Sequence, residues 1–295
     1  MRNVTNIFIC NLAVSDILLA AFVLPQKIHD ISHEEHFHEG EFLCKFVNSF
    51  PVLCITSSIY TLVGISFERR KAIAESSKPQ WTLRKVSQFI SLIWLFSTLV
   101  SVPTMVEYSV AEIYDNERNS SYLSCTNIKV PRLFSLFNGI SILCVSYIIP
   151  LIFMWFNYLK LAWFVWKKSK EVSPTGLGNL NADTSNNPFV LFKHRVKIVK
   201  MLILVAGLFA VSWLPYFLSM VTMKITGEDD SENAGSSLNL IKIFLATFST
   251  AYNVVLYVIF NSNFRRGFRS ILCCCLPPND VGVTMVDRTA TVAIP

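Results

Sequence analysis

Asp16 sits at the middle of NIFICNLAVSDILLAAFVLP, residues 6–25, an otherwise almost wholly apolar stretch with Asn11 and Ser15 close to the acid. An ionisable group held in oil is costly, and it marks a functional site by default. A second charged group, Glu68-Arg69-Arg70, closes the apolar run YTLVGISFERRKAIA, residues 60–74. An arginine at such a place either snorkels to lipid headgroups or belongs to a site. His29, His33, His36 and His38 crowd one short segment. They could bind zinc or sense pH, but without a fixed helical spacing chance enrichment explains them as well. There is no phosphate-cradling glycine loop, no nucleophile elbow and no pair of catalytic acids, so the chain reads as a non-enzyme.

The elements that must carry these residues follow from composition. Of the 295 residues 52% are hydrophobic and only 16% charged, and the mean hydropathy is +0.46. Soluble domains rarely combine those values. A hydrocarbon core of roughly 30 Å needs about 20 apolar residues per helix. Six stretches qualify: residues 6–24, 46–66, 86–105, 134–156, 198–223 and 241–260. Lipid cannot hydrogen-bond a backbone, so each becomes an α-helix. The expected fold is all-α, a polytopic transmembrane bundle of six spans filling residues 1–272, with 273–295 as a tail. The first span carries Asp16 and lacks both a charged n-region and a small-residue cleavage site, so it is a span and not a signal peptide.

Most of the 26 Lys and Arg residues fall in one set of loops, which the positive-inside rule makes cytoplasmic, together with both termini. The basic balance then reflects anionic inner-leaflet lipid, and nucleic acid is not implied. Cys44 and Cys125 are left as the two cysteines on the oxidising side, and a disulfide between them is expected. Asn119-Ser120-Ser121 is a glycosylation sequon in the same outer loop. Phe264, Phe268, Ile271 and Leu272 share a face opposite Arg265, Arg266 and Arg269, which predicts a short amphipathic surface helix over about 262–272. Cys273, Cys274 and Cys275 beside it are candidates for palmitoylation. Residues 167–197, rich in Gly, Asn and Ser at their centre, read as a long disordered inner loop.

In order and spacing these features resemble the rhodopsin-like (class A) G-protein-coupled receptors. NLAVSDILLA is similar to their second helix, with Asp16 as its central aspartate. Cys44 and Glu68-Arg69-Arg70 match the third, Trp94 the fourth, and Pro150 and Tyr158 the fifth. FAVSWLPYF supplies Phe209, Trp213 and Pro215 of the sixth, and NVVLYVIFNSNFRRGF supplies Asn253 and Tyr257 of the seventh.

The resemblance implies a mechanism. Asp16, Ser58 and Asn253 would form a pocket for a regulatory sodium ion, the single cofactor expected, in keeping with hard-cation chemistry. The sixth helix, kinked at Pro215 beside Trp213 and Phe209, would swing outward. Tyr158 and Tyr257 would then approach Arg69, and a heterotrimeric G protein would dock on the basic inner face. The sequence is most similar to the neuropeptide receptors: Pro51 replaces the aspartate of amine receptors, and no lysine suits retinal. Acidic outer loops would steer a cationic peptide, with Gln26, Glu107, Tyr216 and Phe217 as its contacts. The chain would be a multi-pass plasma-membrane receptor with a cytoplasmic C-terminus.

The departures are Arg70, Ser212 and Val254, in place of the family's tyrosine, cysteine and proline, and Arg195, which would repel Arg69. The segment matching the first of seven helices would precede Met1. The alternative reading is therefore a truncated six-span product, retained in the endoplasmic reticulum or paired with a full-length receptor as a dimer. A channel or transporter is more remote, since no filter-like glycine run, arginine ladder or half-repeat is present.

Overall fold

A computed structural model describes residues 4–32, 40–75, 79–115, 120–171, 188–227 and 237–260 of the chain. Asn119, the surface helix expected at 262–272, and Cys273, Cys274 and Cys275 lie outside the described residues. So do the side chains of Gln26, Arg195, Val254 and Tyr257 and those of the four clustered histidines.

The helices are α1 (Val4–Ser32), α2 (Glu41–Ala74), α3 (Leu83–Glu107), α4 (Arg132–Leu143), α5 (Ile149–Glu171), α6 (Pro188–Thr226) and α7 (Ser237–Phe260). A π-turn, Cys144–Ile148, joins α4 to α5 in one rod, so six rods stand where six spans are expected. Among the described residues, five stretches are long and apolar enough to cross a membrane, namely Val4–Val23, Glu41–Ala74, Leu83–Glu107, Arg132–Lys168 and Val196–Thr226. The sixth rod, α7, has 24 residues. The unit Met1–Leu256 holds everything described below; Tyr257–Pro295 forms a second unit, whose described part is the end of α7.

The helices outrun the apolar stretches that reveal them. At about 1.5 Å per residue the 39-residue α6 is roughly 58 Å long, against a hydrocarbon core of roughly 30 Å. The expected loop at 167–197 is corrected at its two ends, because α5 continues to Glu171 and α6 already starts at Pro188, while 172–187 lie outside the described residues. Apolar packing carries the helices onward: Ile73, Leu161, Val165 and Val199 form a buried cluster that joins α2, α5 and α6 at this end.

α2 is the most buried rod and packs against α1, α3 and α5. It is lined by small polar residues, including Ser49, Thr56, Ser57, Ser58, Thr61 and Ser66. Small side chains let helices approach where no hydrophobic effect drives them together. Gly64 shows how closely, since a Cβ there would sit 2.9 Å from the Phe89 ring and 3.0 Å from the Phe8 ring.

A hairpin that helix patterning does not anticipate follows α3. Strands β1 (Ser109–Asp115) and β2 (Ser120–Thr126) pair antiparallel, with Val110 opposite Cys125 and Ile113 opposite Tyr122. Exposure alternates along both strands, with Glu112, Tyr114, Ser121 and Leu123 outward and Ala111, Ile113, Tyr122 and Ser124 more covered, the period-2 pattern of a ribbon. Cys125 of β2 is disulfide-bonded to Cys44 near the start of α2. The end of the bundle that carries this ribbon is called here the hairpin end, and the opposite one the arginine end.

Candidate functional site

Side chains able to do chemistry gather at three levels. At mid-bundle Asp16 is 8% exposed and holds two contacts, with Ser58 donating to Oδ1 at 3.4 Å and Asn253 Nδ2 donating to Oδ2 at 3.0 Å. The Asn253 carbonyl Oδ1 is buried and accepts no hydrogen bond. Beside this group the Ser15 and Ser57 hydroxyls are 3.1 Å apart. Asn11 ties three helices, donating to Thr61 Oγ1 at 2.7 Å and accepting from Trp94 Nε1 at 2.9 Å.

At the arginine end Arg69 Nε lies 3.3 Å from Glu68 Oε2. Its Nη2 also donates to the Thr5 hydroxyl of α1, which in turn donates to Glu68 Oε2 at 3.3 Å. One hydroxyl thus bridges both partners of an ion pair. Arg70 turns elsewhere, its guanidinium lying 4.9 Å from the Phe67 ring centroid and 3.9 Å from Glu75 Oε1. Tyr158 is buried one helix away, and its neighbour Asn157 donates to Ser66 Oγ at 3.2 Å.

Between these levels runs an aromatic column on α6, in which Phe209 is 6.1 Å from Trp213, and Trp213 is 5.6 Å from Tyr216 and 6.5 Å from Phe217. Tyr147, inside the π-turn, packs on Phe217 at 4.8 Å and donates its hydroxyl to the Ala210 carbonyl at 2.6 Å. Pro215 stands inside the same helix. Having no N–H, it leaves a carbonyl one turn earlier without its usual donor and weakens the ladder there.

At the hairpin end Glu107 is fully buried and fully bonded. Ser135 donates to Oε1 at 2.5 Å, Asn127 donates to the same oxygen at 3.2 Å, and Asn138 donates to Oε2 at 2.6 Å. Lys224 of α6 completes the set with an ion pair to Oε1. Lys242 of α7 donates to Ser219 Oγ at 2.7 Å.

The sequence profile described as 7 transmembrane receptor (rhodopsin family) matches residues 1–257. The chain belongs to that family. It is therefore a membrane protein of receptor type, with the helical bundle the profile describes. It is 31% identical over 281 residues to the QRFP-like peptide receptor of Branchiostoma floridae, covering 93% of this chain and 70% of the relative. It is 30% identical to the neuromedin-K receptor of Oryctolagus cuniculus, covering 93% and 56%. The substance-P receptor of Canis lupus familiaris is 28% identical, covering 93% and 64%. The chain thus spans from just over half to seven tenths of the length of these relatives.

Seen as a receptor of this family, the mid-bundle group fits a sodium ion. Asp16 brings charge, Ser58 a hydroxyl oxygen, and Asn253 a buried carbonyl oxygen whose hydrogen-bonding capacity is unused. Such all-oxygen sets suit hard cations. The expected peptide contacts divide. Phe217 is buried under Trp213 and Tyr147, Tyr216 is half-buried, and Glu107 is committed to four donors. Sequence reasoning named Glu107 but missed Lys224, Asn127, Ser135 and Asn138 around it. It also missed Thr5 and Tyr147. Only the acid at the end of an apolar run could have signalled the first cluster, and the other partners have no local pattern.

Proposed function

We propose that this chain is a plasma-membrane receptor for an extracellular peptide and passes the signal to a heterotrimeric G protein on the cytoplasmic side. The observation that carries this reading is that relatives named for peptide receptors align over 93% of the chain. The hairpin end faces outward in this reading, and the disulfide holds the ribbon beside the ligand entrance. Glu41 and Glu107 already face Lys45 and Lys224. The field that steers a cationic peptide therefore comes from exposed Glu112 together with Glu34, Glu35, Glu39, Asp229 and Asp230 of the sequence.

Inside the bundle, ligand contacts with Tyr216 bear on Trp213 through the aromatic column, and α6 bends at Pro215. Its arginine end then moves outward. Arg69 exchanges Glu68 and Thr5 for the G protein, with Tyr158 lining the opening. Asp16, Ser58 and Asn253 hold sodium in the resting state, and a bound cation neutralises the carboxylate. Asn119 carries glycan, and Cys273, Cys274 and Cys275 carry palmitate.

The test is a panel of cationic and amidated peptides applied to cells expressing the chain, read by G-protein subunit dissociation. A saturable response lost in Arg69→Ala supports the reading. Silence across the panel with protein verified at the surface, or a response indifferent to Arg69→Ala, sinks it.

A further inference from the structure

The Glu107 cluster is more than a ligand-pocket wall. The acid sits at the C-terminal end of α3, where the helix dipole disfavours negative charge. It is nevertheless 0% exposed, and its counter-ion comes from 117 residues away. A buried charge persists only with an opposite charge and a full set of hydrogen bonds, and Lys224, Ser135, Asn138 and Asn127 supply both. The Lys224 side chain is itself only 7% exposed.

Its aliphatic stem lies in a niche over Gly139 of α4. A Cβ at that position would stand 2.6 Å from Lys224 Cδ and 3.3 Å from Cε. Those atoms belong to the stem rather than to a free tip, so any larger residue at 139 must displace the lysine. A second contact acts on the same end. α6 is closed just after Thr226 by Gly227, whose φ of +82° is the left-handed conformation that ends a helix, and whose N–H donates to the Met223 carbonyl at 2.8 Å. Arg132, the first residue of α4, donates to the Ile225 carbonyl in that last turn.

We propose that Glu107, Lys224 and Gly139 form a buried charge latch that fixes the hairpin end of α6 against α3 and α4. The latch anchors the segment of α6 beyond Pro215, so the freedom of the helix lies on the arginine side of that proline. The latch is a property of the folded chain; its use as an anchor in signalling rests on the receptor reading above.

The test takes the full chain in lipid nanodiscs, without ligand, and reads the thermal midpoint and hydrogen exchange along α6. Lys224→Met, Glu107→Gln and Gly139→Ala should each lower the midpoint, Lys224→Met by roughly 5 to 10 °C. Each should also speed exchange over residues 219–227 while leaving 196–205 unchanged. The double variant E107Q/K224M, which leaves no unpaired buried charge, should recover most of the midpoint lost in K224M. It also provides a folded background if K224M alone does not fold.

Gly139→Ala discriminates by sign, because alanine in an ordinary helix position is stabilising. A raised midpoint in that variant overturns the latch. So does faster exchange spread evenly along α6, or a K224M protein indistinguishable from the parent. Because no ligand is used, a chain that never signals can still show the latch, and a signalling chain can lack it.

Discussion

The two ends of the bundle each hold a carboxylate against a cation, yet the pairs are built on opposite plans. At the hairpin end Glu107 and Lys224 come from helices far apart in sequence, with side chains 0% and 7% exposed. At the arginine end Glu68 and Arg69 are neighbours on one helix, with side chains 11% and 21% exposed, and a single Thr5 hydroxyl links them to α1. A pair that spans elements couples their positions, whereas a pair within one helix ties that helix to another only through the Thr5 hydroxyl. Arg69, the more exposed partner, also has water as an alternative. The first arrangement resists exchange and the second is suited to it.

Breaking each pair on one side should expose the difference. Glu107→Leu strands a buried ammonium and should cost about 3 to 5 kcal/mol of stability. Glu68→Gln keeps an acceptor for the Thr5 hydroxyl and strands only the partly exposed Arg69, so it should cost less, about 1 to 2 kcal/mol. Thermal unfolding of the two purified variants reads both, and equal losses would erase the contrast. The hairpin end should lose next most from Cys125→Ser. Opening a link that spans 81 residues removes about 2 to 4 kcal/mol, and the same measurement without and with reductant on the parent chain checks it.

Between the ends, Tyr147→Phe deletes the hydroxyl that α6 accepts at Ala210 and should cost about 1 kcal/mol, while keeping the ring on Phe217. Asp16→Asn should abolish a sodium-dependent rise of the midpoint worth about 1 kcal/mol at a few times the dissociation constant. Titration of NaCl against choline chloride reads it. The smallest effect on stability belongs to Thr5→Val, below about 1 kcal/mol. Its effect on signalling should be larger, because Arg69 loses the contact that ties it to α1. Raised basal G-protein dissociation at unchanged surface level is the expected result.

The same contrast explains what was legible in the sequence. Asp16 stood out because one acid interrupts an apolar stretch, and Glu68-Arg69 because both partners are adjacent in the chain. The six rods were visible as apolar runs, but their ends were not. Bilayer thickness limits the oily part of a helix and says nothing of where its hydrogen bonding stops. Lys224 looked like an ordinary lysine near a helix end, since its partner is 117 positions away and nothing local points to it. The ribbon at 109–126 was hidden because its alternation is short, although the disulfide that ties it to α2 was legible from Cys44 and Cys125.

The π-turn at Cys144–Ile148 gives the fourth rod one surplus residue. Each residue advances a helix by about 100°, so α4 and α5 are indexed independently although they share a shaft. The upper wheel presents Ser135 and Asn138 to Glu107, and the lower one presents Asn157 to Ser66. Removing one residue from the turn would bring both wheels into a single gear, and one of the two sets of teeth would no longer mesh.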